Sequence, residues 1–235
     1  MSYDVSYGYG SAATAEPSER ALFIRRTYSH LAGAILAFIA LEAVLVNTVP
    51  FDVIAGMLGG YNWLLVLGAF MVASWVAQYW ARSQTSPALQ YLGLGLYVVV
   101  EAIIMLPLLI IAADFSGPSV IPTAGILTLA TFGGLTITVF VTRKDFSFLR
   151  PILAIGSLIA LGLIVAAILF RFDLGGVLFA GAMVVLMSGY ILYYTSNVMH
   201  HYRTDQHVAA ALALFAAVAT LFYYILQLVM EMNRR

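Results

Sequence analysis

Apolar residues run through this chain in long uninterrupted blocks, and each block ends at a short polar or Gly/Pro break. The blocks cover about Tyr28–Val49, Asn62–Ala81, Leu89–Ala113, Val120–Val141, Ile152–Phe170, Gly175–Val198 and Val208–Met230. At ~1.5 Å rise per residue, about 20 residues cross the hydrocarbon core of a bilayer. The pattern therefore predicts seven transmembrane helices. Pro50, Gly59-Gly60, Ser86-Pro87, Ser116-Gly117-Pro118, Arg150-Pro151 and Gly175-Gly176 punctuate them. The runs lack the period-two alternation of a membrane barrel, and an open sheet would strand backbone polar groups in lipid. The expected fold class is all-α: a polytopic membrane protein with a seven-transmembrane-helix bundle over residues 25–235. Residues 1–24, rich in Tyr, Gly, Ser and Ala without periodicity, read as a flexible N-terminal tail.

Composition narrows the function classes. Hydrophobic residues make up 63% of the chain and charged residues 9%, against about a quarter charged in a soluble domain. Membrane lipid is thus the first partner. Cysteine is absent, which excludes disulfides, thiolate metal sites and thiol nucleophiles. A formal net charge of +0 gives no reason to expect nucleic acid. No cofactor and no enzymatic activity are expected. A cleavable signal peptide is not expected either, because the first apolar block starts after Arg25 and Arg26 and exceeds a normal signal core.

Orientation follows from the basic residues. With the N-terminus in the cytoplasm, that side holds Arg20, Arg25, Arg26, Arg82, Arg143, Lys144, Arg150 and Arg203, and the other side holds Arg171, Arg234 and Arg235. Eight against three favours this orientation.

Few polar groups lie inside the spans. Glu42 and Glu101 are mid-span acids, and a charge at that depth costs roughly 2.5–3.5 kcal/mol on insertion scales. They face the bundle interior or water, either as neutral hydrogen-bonded acids joining helices or as a cation or proton site. The sixth span carries Tyr190, Tyr193, Tyr194, Asn197 and His201 on one face, and the seventh carries Thr220, Tyr223, Tyr224, Gln227 and Glu231 at similar spacing. These stripes either line a cavity or bond to each other, at about 0.6 kcal/mol per interhelical pair. Thr128, Thr131, Gly133, Gly134, Thr136 and Thr138 make the fourth span small and hydroxyl-rich, which predicts a central place in the bundle. His200, His201 and His207 cluster near Asp205, but no further ligand is spaced to complete a metal site. A histidine-metal lipid hydrolase is disfavoured for the same reason.

The stretch Val141-Thr142-Arg143-Lys144-Asp145-Phe146-Ser147-Phe148-Leu149, preceded by Leu135-Thr136, resembles the signature loop of the Bax inhibitor-1 family. Ile191-Leu192-Tyr193-Tyr194-Thr195-Ser196-Asn197 is similar to the family's sixth-helix motif. Ala211-Leu212-Ala213-Leu214-Phe215 with Leu221-Phe222 is similar to the seventh, and Glu101 with Pro107-Leu108 to the third. The resemblance runs from about Arg25 onward. It implies a seven-helix membrane protein and a calcium leak activity, gated by pH in members that carry an aspartate on each of the last two helices. Those positions are Tyr194 and Ala217 here, and the family's asparagine is Thr220. A cation (calcium or proton) leak without the aspartate-pair gate is therefore expected. The candidate ion pathway is Glu42, Glu101, Tyr194, Asn197, Thr220 and Tyr224, and the signature loop is Arg143, Lys144 and Asp145. The alternative is a non-transporting regulator of a membrane-anchored AAA protease or a stress response. The compact chain and its closeness to bacterial signatures point to a bacterial inner membrane.

The charge asymmetry makes a direct prediction. A reporter fused after Arg235 reads out on the non-cytoplasmic side, and one at the N-terminus reads out in the cytoplasm. Both ends on one side would remove a span.

Overall fold

The computed structural model describes residues 11–174 and 176–233. Residues 1–10 of the expected tail, Gly175 at the expected start of the sixth span, and Arg234 and Arg235 lie outside the described residues. The described chain forms α1 (Pro17–Thr48), α2 (Phe51–Leu58), α3 (Asn62–Ala81), α4 (Pro87–Phe115), α5 (Val120–Thr142), α6 (Leu149–Phe170), α7 (Val177–His200) and α8 (His207–Asn233). All but α2 are long and apolar enough to cross a membrane, giving seven candidate spans. Large apolar side chains such as Leu36, Leu65, Trp75, Ile126, Leu158 and Leu178 point outward, as a hydrocarbon solvent allows.

α1, α4, α6 and α8 run from one end of the bundle to the other, and α3, α5 and α7 return. The loops 82–86, 143–148 and 201–206 share the near end with residues 11–16. There the Ala12 N–H donates to the Tyr202 carbonyl at 2.8 Å. At the far end, Asn233 Nδ2 donates to the Ser116 carbonyl at 2.5 Å. The short α2 lies at that end as well, with Ile54 packed on Leu106 and Ile110 of α4.

Two sequence expectations change. The tail does not reach residue 24. Ala12 is fully buried, Ser11 bridges to Arg203, and α1 already starts at Pro17. Proline at the first helical turn has its φ preset, and Glu19 in that turn complements the helix dipole. The helix thus projects beyond its apolar block, where hydropathy gives no signal.

The central helix is α8, not α5. Of the most apolar stretch of each, 72% is buried in α8 and 17% in α5. α1, α4, α5 and α7 all pack on α8. Ala209, Ala210, Ala211, Ala213, Ala217 and Ala219 keep α8 thin and are buried, so neighbouring backbones approach closely. Thr128, Thr138 and Thr142 of α5 turn back on their own helix. Thr128 Oγ1 donates to the Ala124 carbonyl at 2.7 Å, and Thr138 Oγ1 to that of Gly134 at 2.8 Å. With the hydroxyls spent locally, α5 needs no central position.

α3 and α4 make the tightest antiparallel pair, at Gly93. A Cβ there would sit 2.5 Å from the Ala77 carbonyl oxygen and 2.6 Å from the Ala81 nitrogen. Both are backbone atoms, which cannot swing aside. Gly95 has open space around its Cβ position. Gly93→Ala is therefore expected to cost about 1–3 kcal/mol, read as a lower melting temperature in detergent, whereas Gly95→Ala leaves it unchanged or slightly raised. Equal behaviour of the two variants would refute the close-approach account.

Candidate functional site

The buried side of α1 is a single stripe of Phe23, Thr27, Leu31, Ala34, Phe38 and Glu42 at helical spacing. Its last two members meet a matching pair on α4. The Phe38 ring packs on Phe215 of α8 at 5.8 Å, and Tyr97 of α4 packs on the same ring at 6.1 Å, edge to face. Phe70 of α3 closes on Tyr97 at 6.5 Å. α1 and α4 run in the same direction, so one turn beyond Phe38 and Tyr97 both helices present an acid. These are Glu42 and Glu101, only 5% and 3% exposed. They lie close enough for their charges to interact. The Tyr97 hydroxyl lies near both Glu101 and Ser74.

Both carboxylate oxygens of Glu42 and Oε2 of Glu101 lack a hydrogen-bond partner. A glue role requires a bond, and Glu42 makes none. A buried polar atom without a partner costs roughly 1–3 kcal/mol, more when charged, so this pair weakens the bundle rather than joining it.

A cavity of about 680 Å³ leads from the far end to Glu101. Thr220, Tyr223, Tyr224 and Gln227 of α8 form one wall, and Trp63, Phe70 and Phe179 form much of the rest. Asp173 and Glu231 stand at its mouth. Thr220 Oγ1 donates to the Ala216 carbonyl at 2.8 Å, which leaves its lone pairs toward the cavity. Beneath the acids, the Phe38–Phe215–Tyr97 rings separate them from the near end. The arrangement is a vestibule open at one end and shut at the other.

The structure thus divides the six pathway candidates. Glu101, Thr220 and Tyr224 line the cavity, and Glu42 adjoins Glu101. Tyr194 and Asn197 do not line it and lie toward the near end. Tyr190 bonds to Ser157 Oγ at 2.9 Å and donates to the Leu153 carbonyl at 3.3 Å, which ties α7 to α6. Tyr194 stacks on Tyr190 at 5.5 Å. Ala217 is buried in the packed face of α8. Trp63, Phe70 and Phe179 were not legible beforehand, because an aromatic in a uniformly apolar span gives no cue to which face it occupies. Tyr97 was missed as well, although its place one turn before Glu101 was a signal that could have found it.

The signature loop works at the other end. Arg143 caps α5 in the left-handed conformation, with φ at 53°, and turns the chain so that Asp145 meets α7. Asp145 Oδ1 accepts from the Ser147 N–H at 2.8 Å and from Ser196 Oγ at 3.3 Å, and Oδ2 lies 3.0 Å from His201 Nε2. The Phe146 N–H donates to Ser196 Oγ at 2.9 Å. The loop is a clasp between α5 and α7. Among the described residues, no group of three His, Asp or Glu side chains could hold a metal ion. His201 is taken up by the clasp, and His207 stacks against His30 at 4.9 Å.

Residues 20–235 match the family described as inhibitor of apoptosis-promoting Bax1. The chain belongs to the Bax inhibitor-1 family. It is 31% identical over 218 residues to "Protein LIFEGUARD 4" of Arabidopsis thaliana, covering 89% of this chain and 85% of that one. It is 30% identical over 226 residues to "Protein LIFEGUARD 3" of the same plant, covering 93% and 88%. An uncharacterized protein of Pseudomonas aeruginosa is 27% identical over 220 residues, covering 93% of each. This Bax inhibitor-1 protein is thus a multi-pass integral membrane protein, as its seven apolar helices require.

The clasp has a pH signature. Partial burial works against the charge on Asp145, but the Ser147 donors and the His201 ring outweigh it and hold the carboxyl below its usual range. A lowered acid pKa adds stability that is present above the unfolded value and lost as pH falls through the folded one. Asp145→Asn is therefore expected to lower the melting temperature near pH 6 by no more than about 3 °C, since the pair is exposed. The gap between the two proteins should begin to close as pH falls below about 4 and vanish only below the lowered folded value. A gap independent of pH would assign the loss to shape instead of charge.

Proposed function

We propose that this protein is a cation leak pathway for calcium or protons in a bacterial inner membrane, with its N-terminus cytoplasmic and the cavity opening on the opposite side. The observation that carries the reading is the buried, unpartnered Glu101 oxygen at the blind end of the cavity. A carboxyl oxygen without a donor, reached by a passage from one membrane face, suits a cation or proton in transit. Glu42 next to it supplies a second acid to receive the ion or proton. The Phe38–Phe215–Tyr97 rings act as the closed gate. The gate is apolar packing that must part, in place of an aspartate pair, because Tyr194 and Ala217 occupy the family's two aspartate positions.

Proteoliposomes containing only this protein test the reading. Glu101→Gln keeps shape and hydrogen-bonding capacity but removes the ionisable group. It is expected to lower calcium or proton flux by about tenfold, equivalent to ~1.4 kcal/mol on the barrier. Phe38→Leu thins the gate and should raise basal flux. Unchanged flux in Glu101→Gln at normal yield and melting temperature would abandon the pathway and leave the non-transporting role.

A further inference from the structure

We propose that the far-end cavity is a binding site for an amphiphilic organic monocation, a quaternary or protonated ammonium carried on an apolar or aromatic body. The inference rests on the reading of Glu101 as a cation-facing acid and adds the class of ligand. Its volume of about 680 Å³ lies within the ~300–1,000 Å³ range of small-molecule pockets and far exceeds the needs of a bare ion. Its lining is chiefly apolar and includes Trp63, Phe70, Phe172, Phe179, Tyr223 and Tyr224. Phe179 meets Tyr224 edge-on at 5.9 Å, and Tyr223 meets Tyr224 at 5.2 Å, so several ring faces and edges border one space. Among the described residues no Lys, Arg or His lines it.

At the floor, Glu101 is 3% exposed and its Oε2 has no partner. One buried carboxylate within aromatic walls is the chemistry that recognises an ammonium. The rings attract the cation through their quadrupoles within ~6 Å of the centroid, most strongly when it is desolvated. The acid supplies the opposite charge, and the apolar wall holds the ligand's body. A calcium ion held without its water needs about six to eight oxygen ligands. At the floor Glu101 lines the cavity with Glu42 beside it, two carboxyls that fall short of such a shell, so the site suits a cation that needs none.

The test uses the purified full-length protein in detergent, with benzyltrimethylammonium followed by calorimetry. Saturable binding is expected. Glu101→Gln should weaken it about tenfold, and Trp63→Leu or Phe179→Leu about threefold. Neopentylbenzene, the uncharged carbon isostere, should not compete. A second measurement needs no variant: 4-azidobenzyl-trimethylammonium is photolysed on the unaltered protein and the label is mapped by mass spectrometry. Label in the peptides around Trp63, Phe179 and Tyr223 supports the site. Absence of saturable heat, equal competition by the isostere, or label confined to lipid-facing residues overturns it. Glu101-dependent calcium flux without ammonium binding overturns this proposal and leaves the cation pathway standing. Ammonium binding without flux has the opposite consequence.

Discussion

Two carboxylic acids held inside a bundle whose solvent is hydrocarbon set the conditions for the rest of this molecule. Each costs roughly 2.5–3.5 kcal/mol as an ion at mid-membrane depth, and Glu42 recovers nothing through hydrogen bonds. The remaining helices must offset that deficit by packing. They do so around α8, whose alanines let α1, α4, α5 and α7 approach one thin axis. Dispersion and close backbone contact, not polar pairing, drive association of helices in lipid. The tight approach of α3 to α4 at Gly93 serves the same end. A bundle this closely packed can carry an unsatisfied acid pair without coming apart.

The same packing decides where water can reach the acids. The rings of Phe38, Tyr97 and Phe215 fill the space below Glu42 and Glu101, and the cavity above leaves Glu101 in contact with the far end. In the proposed pathway, opening would have to separate α1 or α4 from α8, because those three helices contribute the rings. At the near end, the clasp of Asp145 on Ser196 and His201 fixes α5 to α7. It lies away from the acids, so the most recognisable motif in the chain holds the scaffold while the less conspicuous Glu101 faces the cavity.

Membership of the Bax inhibitor-1 family does not by itself assign the site, since the sequence resemblance puts Tyr194 and Ala217 where it implies the family's aspartates. In the structure those two positions are packing residues: Tyr194 stacks on Tyr190, and Ala217 belongs to the close-packed face of α8. The acids that remain sit on α1 and α4.

The sequence by itself determined the span count, the all-helical class, the family, and the two mid-span acids, because each is a local property. An apolar run of about 20 residues must cross a bilayer, and a mid-span glutamate is costly wherever its helix lands. Tertiary structure alone decided which helix is central, since the threonines of α5 and the alanines of α8 are both small and only packing distinguishes them. It also decided that Glu42 and Glu101 are neighbours, which depends on α1 and α4 running parallel with Phe38 and Tyr97 level on Phe215. Trp63, Phe70 and Phe179 join Glu101 in one cavity for the same reason. Facing between helices far apart in the chain is a property of the assembled bundle, and in uniformly apolar spans no periodicity records it.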